Sequence, residues 1–168
     1  CQKIREKFYF PVIMLTAKVE DGDKIMGLSV ADDYITKPFN PLEVVARVKA
    51  QLRQYMRYKQ PCIKQEAEHT EYDIRGMTIS KSNHKCILFG KEIQLTPTEF
   101  SILWYLCERQ GTVVSTEELF EAVWGERYFD SNNTVMAHIG RLREKMKEPS
   151  RNPKFIKTVW GVGYTIEK

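Results

Sequence analysis

Residues 131–146 read Ser131-Asn132-Asn133-Thr134-Val135-Met136-Ala137-His138-Ile139-Gly140-Arg141-Leu142-Arg143-Glu144-Lys145-Met146, and this stretch decides the fold. Its first four residues carry the short polar side chains that open a helix by accepting its free backbone N–H groups. Val135, Ile139, Leu142 and Met146 then recur at i, i+4, i+7 and i+11, the spacing of one buried helical stripe. Thr134, Ala137, His138, Arg141 and Lys145 form a second strip at helical spacing, expected to face outward. Hydroxyl and small side chains near a helix start, followed by arginine, suit a helix that lies in a major groove. Arginine can donate two bonds to a guanine edge, and methyl groups can touch a thymine methyl. An ordinary amphipathic helix with a hydrophilic outer face has the same pattern, so the neighbouring segments have to decide between them.

Upstream, Thr96-Pro97-Thr98-Glu99 predicts a helix start, with Thr96 at the N-cap, Pro97 in the first position and Glu99 closing a capping box. Phe100, Leu103, Leu106 and Cys107 make its buried stripe, and Gly111 ends it. Ser115-Thr116-Glu117-Glu118 reads as a second capping box, opening a helix with Leu119 and Val123 inward. Downstream, residues 155–160, Gly161-Val162-Gly163 and residues 164–167 predict a hairpin. Three helices closed by a hairpin describe a winged helix, an α+β fold. Lys154 and Lys157 beside the hairpin suit a wing that reaches backbone phosphate. Residues 72–79, 85–89 and 92–95 precede the helices as three strand-like segments, with Gly90-Lys91 a hairpin signal between the last two.

The first third of the chain has a different rhythm. Residues 1–10 read as the tail of a helix, and residues 11–17 as an apolar strand covered on both faces, as in a parallel sheet. Residues 21–30 suggest a short helix, and residues 32–36 a second strand that stops at Lys37-Pro38. Residues 41–57 predict a helix with Pro41 in its first turn and Leu42, Val45, Val48 and Leu52 at helical spacing. The order α-β-α-β-α is the back half of a doubly wound sheet, and half a sheet cannot bury its core. The expectation is therefore an α/β unit truncated at its N-terminus by roughly 60 residues, two β-α units or more. Residues 58–71 are polar and aperiodic and read as a linker. The expected organisation is 1–57, then 58–71, then 72–168.

Charge sharpens this division. Residues 132–168 carry 8 Lys/Arg against 3 Asp/Glu, a balance of +5, whereas residues 61–131 carry 7 against 12, a balance of −5. A basic segment beside acidic helices is a plausible footprint for nucleic acid. The apolar run at residues 8–17 is broken by Pro11 and is far below the ~20 residues of a membrane span. No leader opens the sequence, and Cys1, Cys62, Cys86 and Cys107 are too scattered for a disulfide frame or zinc site. The reading is an intracellular, cytoplasmic, soluble protein with no membrane partner. No Gly-rich phosphate loop, nucleophile elbow or H-E-x-x-H occurs, His69 and His84 suggest nothing, and His138 has no spaced metal-binding partner. Asp32 and Asp33, adjacent on a strand, point to opposite faces and cannot share a catalytic site. No enzyme is expected.

Pro11-Val12-Ile13-Met14-Leu15-Thr16-Ala17 and Ala31-Asp32-Asp33-Tyr34-Ile35-Thr36-Lys37-Pro38-Phe39 resemble the second half of a response-regulator receiver domain, which is flavodoxin-like. Leu95-Thr96-Pro97-Thr98-Glu99-Phe100, Val123-Trp124-Gly125, Arg141-Leu142-Arg143-Glu144-Lys145 and Gly161-Val162-Gly163-Tyr164 resemble the OmpR/PhoB-type winged helix. Ala46-Arg47-Val48-Lys49-Ala50-Gln51-Leu52 and Thr158-Val159-Trp160-Gly161 resemble members of that family that control glycopeptide resistance.

The resemblance implies a sequence-specific DNA-binding regulator, an activator, in a two-component phosphorelay. Its receiver switch is Thr16, Tyr34 and Lys37, with a cis peptide at Pro38. A receiver dimer is implied through Lys24 with Glu43 and through Asp32 or Asp33 with Arg47 or Arg53. Thr134, Ala137 and Arg141 match the family's base-facing positions, and Trp124, Asn133, His138, Arg143 and Thr158 its phosphate-facing ones. Residues 125–130 match the turn that faces RNA polymerase. Promoter DNA, RNA polymerase, a sensor histidine kinase and a second copy of the chain are the implied partners. Magnesium and a phosphoryl group are implied for a full-length receiver and not for this chain, whose sequence lacks the acidic pair and phosphoacceptor aspartate. Val30-Ala31 lacks the glycine usual before the Ala-Asp-Asp-Tyr motif. Gly140 and Trp160 stand where the family often has arginine. A winged helix that docks a protein, with a degenerate receiver as its scaffold, is the competing reading, and a flat salt response would separate it from groove binding.

Overall fold

The computed structural model describes residues 2–5, 7–8, 10–17, 31–59, 70–125, 134–149 and 151–167. The chain opens with α1 (Gln2–Arg5), followed by β1 (Ile13–Thr16) and β2 (Asp33–Thr36), which pair in parallel with Ile13 opposite Asp33 and Thr16 opposite Thr36. The short helix expected at residues 21–30 lies outside the described residues. The Lys37-Pro38 peptide is cis, as the resemblance implied. Helix α2 (Pro41–Lys59) is capped by the Asn40 side chain, which accepts from the Leu42 N–H at 2.9 Å. It continues two residues into the stretch read as linker.

The facing of α2 differs from the expectation. Leu42 is 77% exposed, and Val45, Val48 and Leu52 are also open to solvent. Among the described residues the sheet has only β1 and β2, so little strand surface is available to cover that stripe. The opposite side of α2, through Ala50, Gln51 and Gln54, is buried where the helix packs on the winged helix. There the Thr98 hydroxyl donates to Gln54 Oε1 at 3.4 Å.

The second unit begins with β3 (Glu71–Ile74), β4 (Met77–Ser80), β5 (Lys85–Leu88) and β6 (Lys91–Ile93), an antiparallel sheet in sequence order. The sequence suggested one segment over 72–79. The structure divides it at Arg75-Gly76, with φ of 52° and 91°. Two consecutive positive φ values make the tight turn whose twist matches flanking antiparallel strands.

Helix α3 (Pro97–Glu108) starts as its capping box predicts. Thr96 Oγ1 accepts from the Glu99 N–H, and the Glu99 carboxylate accepts from the Thr96 N–H at 2.8 Å. Strand β7 (Val114–Ser115) leads into α4 (Thr116–Trp124), where Ser115 Oγ accepts from the Glu118 N–H. Helix α5 (Thr134–Lys145) follows, then β8 (Ile156–Val159) and β9 (Gly163–Ile166). The predicted start of α5 at Ser131-Asn132-Asn133 lies outside the described residues.

Strand β9 lies between β7 and β8 in a three-stranded antiparallel sheet. Gly163 is required there, because a Cβ would stand 1.9 Å from the Val114 carbonyl oxygen. The core joins Met77 and Ile79, Ile102 and Leu103, Leu119 and Phe120, Ile156 and Ile166 to the stripe of α5. Val135, Ile139, Leu142 and Met146 are all at most 3% exposed, as their spacing predicts. Each such side chain contributes ~1.5–3 kcal/mol of burial, which fixes how α5 is turned.

Candidate nucleic-acid interface

Most of the second strip of α5 does not face solvent. Thr134 and His138 are fully buried and Arg141 is 8% exposed. At about 100° per residue, Thr134, His138, Arg141 and Lys145 lie on the flank of the buried stripe rather than opposite it. That flank is covered. Arg141 Nη2 donates to the Ala31 carbonyl at 2.9 Å, and His138 Nε2 lies 2.9 Å from the Asp32 carbonyl. The Trp124 ring closes the same side, 5.5 Å from the His138 imidazole. Thr134, His138 and Arg141 therefore do not face outward as expected: residues 31 and 32, just before β2, sit on His138 and Arg141, and Thr134 is itself buried.

Glu99 organises that flank. Its buried carboxylate, already engaged in the capping box, receives Lys145 Nζ at 2.6 Å and lies 3.9 Å from Arg141 Nε. The sequence marked Glu99 only as a capping residue. Its second role depends on packing against a helix whose Lys145 is 46 residues away in sequence, which no local pattern carries.

The side of α5 open to solvent consists of Met136, Gly140 and Glu144, with Ala137 half-buried beside them. Met136 is not among the expected site residues, and Gly140 enters only as a departure from the family's arginine, although counting 100° steps from the core stripe finds both. They face the hairpin across a groove of about 730 Å³, also lined by Arg143, Thr158, Trp160 and Val162. Arg143 bridges the groove's base: its Nη2 donates to the Ile156 carbonyl at 2.7 Å and to Thr158 Oγ1 at 2.8 Å. Burial lowers the Arg143 pKa against the opposing pull of Glu148 and Tyr164, yet a guanidinium keeps its proton throughout the neutral range. Trp160, at the hairpin tip, is 91% exposed.

Trp124 is also corrected. It is 3% exposed and stacks on Phe120 with centroids 4.9 Å apart, so it belongs to the core at the end of α4. Its two-residue sequence context, Val123 before and Gly125 after, gave no sign of that burial. Asn133 and residues 126–130, the expected polymerase-facing turn apart from Gly125, lie outside the described residues.

In the receiver-type segment, Thr16 and Lys37 meet at the C-terminal edge of the parallel strands, where the Lys37 N–H donates to the Thr16 carbonyl at 2.7 Å. That edge is where open α/β sheets bind ligands. Tyr34 is buried two residues before Thr36.

The expected dimer charges are engaged within the chain. Arg47 Nη1 binds both Asp33 oxygens, at 3.1 and 3.0 Å, while its Nε reaches Glu43 at 3.0 Å. Burial opposes the charge on Arg47, but the Asp33 and Glu43 carboxylates outweigh it and raise the pKa. Asp32 accepts from the Val12 N–H at 2.8 Å and is fully buried. Asp32, Asp33 and Arg47 are thus removed from the surface by their own chain, because β2 and the second turn of α2 bring the charges together. Arg53 is exposed beside Gly125, and Lys24 lies outside the described residues. Among the described residues no group of three or more His, Cys, Asp or Glu side chains could hold a metal ion, and no helix is long and apolar enough to cross a membrane.

Residues 90–166 match the family described as "Transcriptional regulatory protein, C terminal", which sets the class of this fold: a winged-helix transcription regulator preceded by a receiver-type segment. The chain is similar to Regulatory protein VanRc of Enterococcus gallinarum, 64% identical over 99% of this chain and 72% of the relative. It is 56% identical to Regulatory protein VanR of Enterococcus faecium, over all of this chain and 72% of that one. Among solved structures it is similar to response regulator DrrB, a Thermotoga maritima OmpR/PhoB homolog, at 35% identity and a TM-score of 0.55, covering 100% of this chain and 72% of that one. The chain belongs to the OmpR/PhoB family of two-component response regulators, and is a DNA-binding transcription regulator.

Proposed function

We propose that this chain binds promoter DNA sequence-specifically through α5 and the hairpin, as an activator of glycopeptide-resistance genes in the cytoplasm, and that it is not an enzyme. The observation that supports this best is the groove between the open side of α5 and the hairpin, built on Arg143 within a segment of net charge +5. Double-stranded DNA is the partner whose charge and groove dimensions suit it. In this reading Thr134, Ala137 and Arg141 face bases, while Asn133, His138, Arg143 and Thr158 face phosphates. Ala137 and Arg143 border open surface as they stand. His138 and Arg141 reach DNA only after residues 31 and 32 leave the flank of α5, and Thr134 only once its own burial is relieved, so this arrangement is a closed one.

Residues 125–130 are assigned to RNA polymerase, and a cognate histidine kinase and a second copy of the chain are further partners. Because Asp33 and Arg47 pair within the chain, Glu43 and Arg53 are the dimer charges left accessible among the described residues. In a full-length receiver, Lys37 and Thr16 are the residues that would offer a phosphoryl group ammonium and hydroxyl donors at the strand edge. Magnesium likewise belongs to a full-length receiver and is not proposed for this chain. The test is competition between promoter-derived duplexes and a scrambled duplex of equal length. Retention of a subset of promoter fragments supports the reading, and equal retention of all duplexes contradicts it.

A further inference from the structure

Trp160 is a large aromatic at the tip of the hairpin, and it is 91% exposed. It follows Val159, the last residue of β8, and precedes Gly161, whose φ of +73° turns the chain with open space where a Cβ would be. Val162, beside it, is 53% exposed, and Met136 faces the same groove from α5 at 48% exposed. The remaining two tryptophans, Trp104 and Trp124, are 6% and 3% exposed. An indole left in water costs the free energy that burying its apolar surface would recover.

Three exposed apolar side chains, Trp160, Val162 and Met136, therefore border a groove that Arg143 braces at its base and that Glu117 also lines. The backbone of duplex DNA has a matching chemistry: anionic phosphates separated by the apolar C–H faces of deoxyribose. A cation satisfies the phosphates, and a flat indole satisfies the sugar between them, with Nε1–H free to donate to a phosphate oxygen.

We infer that Trp160 is a charge-neutral anchor for the DNA backbone, packing its ring on deoxyribose while Met136 and Val162 exclude water beside it. This deepens the DNA-binding reading and rests on it. Because the anchor carries no charge, it contributes affinity without releasing counterions. A lysine or arginine at the tip does both.

The experiment uses the whole chain and a duplex enriched from a randomised pool by the unaltered protein. Trp160→Ala is expected to weaken binding about tenfold, while the slope of log affinity against log salt stays that of the parent. Trp160→Arg is expected to recover affinity and steepen the slope by about 0.9, one phosphate neutralised. On adding duplex, the exposed tryptophan emission should shift to the blue and lose its quenching by acrylamide, with no such change in Trp160→Ala. Thermal unfolding should match among the three proteins, since the side chain supports no packing.

Unchanged affinity in Trp160→Ala, persistent quenching in the complex, or a slope lowered by about 0.9 overturns the inference while DNA binding itself stands. Failure of the pool to yield any retained duplex overturns the DNA-binding reading and the inference with it.

Discussion

The imidazole of His138 is held between a carbonyl and a guanidinium: Nε2 lies 2.9 Å from the Asp32 oxygen, and Nδ1 lies 2.6 Å from Arg141 Nη2. A guanidinium only donates, so Nδ1 accepts and Nε2 carries the proton that the Asp32 carbonyl receives. With the Arg141 bond to the Ala31 carbonyl, these contacts fasten the receiver-type segment to α5. Removing that segment should release binding surface. The winged helix has its own core, drawn from residues 74–166, so residues 70–168 should fold alone. They should bind duplex roughly tenfold more tightly than the whole chain, within the ~5–150-fold range of typical coupling between sites. Equal affinities measured by fluorescence anisotropy would mean that the covered flank plays no part in binding.

Leu142 is the centre of the α5 stripe and has no exposed surface. Leu142→Ala should cost roughly 2–5 kcal/mol, read as a lowered midpoint in urea at an unchanged slope. Any loss of DNA binding should follow the loss of folded protein. Unaltered stability with binding lost would mean that Leu142 faces DNA.

Arg141 and Arg143 differ in role because they lie about 200° apart on one helix. In the 70–168 fragment, where Arg141 is uncovered, Arg141→Ala should lose ~1–3 kcal/mol at one base pair and flatten preference there. Arg143→Ala should weaken all duplexes alike, because the lost group braces Ile156 and Thr158 beneath the wing. A panel of single-base variants at fixed salt reads both. Uniform weakening by Arg141→Ala would make it an anchor instead.

His84 makes stability depend on pH. Burial, then the charge of Lys81, lowers its pKa below the usual 6.5. The unfolded chain thus takes up this proton first, so unfolding free energy should fall as pH drops below about 6.5 and level off below the folded value. Asparagine tolerates the left-handed φ of +49° at this position. His84→Asn should therefore show a flatter profile between pH 7 and 5 than the parent. Parallel profiles by denaturant titration would contradict the assignment.

The capping box of α3, the core stripe of α5 and the closing hairpin were legible because each is set within about a dozen neighbouring residues. The turn at Arg75-Gly76 was harder to see, since arginine is an uncommon choice for a positive φ. What could not be read was how one unit covers the other. Helical spacing separated Val135 and Leu142 from the strip of Thr134, His138 and Arg141. Only the fold, however, brings the Ala31 and Asp32 carbonyls onto that strip. The same limit hid the second role of Glu99 and the in-chain pairing of Asp33 with Arg47, both of which depend on long-range packing.

Sequence-specific DNA binding by the α5–hairpin face is the central claim, and a salt titration of the enriched duplex against its scrambled counterpart tests it most directly. Affinity for both should fall linearly in log–log terms with a slope of about −0.9 per phosphate neutralised, across several phosphates, while the enriched duplex stays tighter at every salt concentration. A flat salt response with no preference between the two duplexes would contradict the account and point to a winged helix that docks a protein.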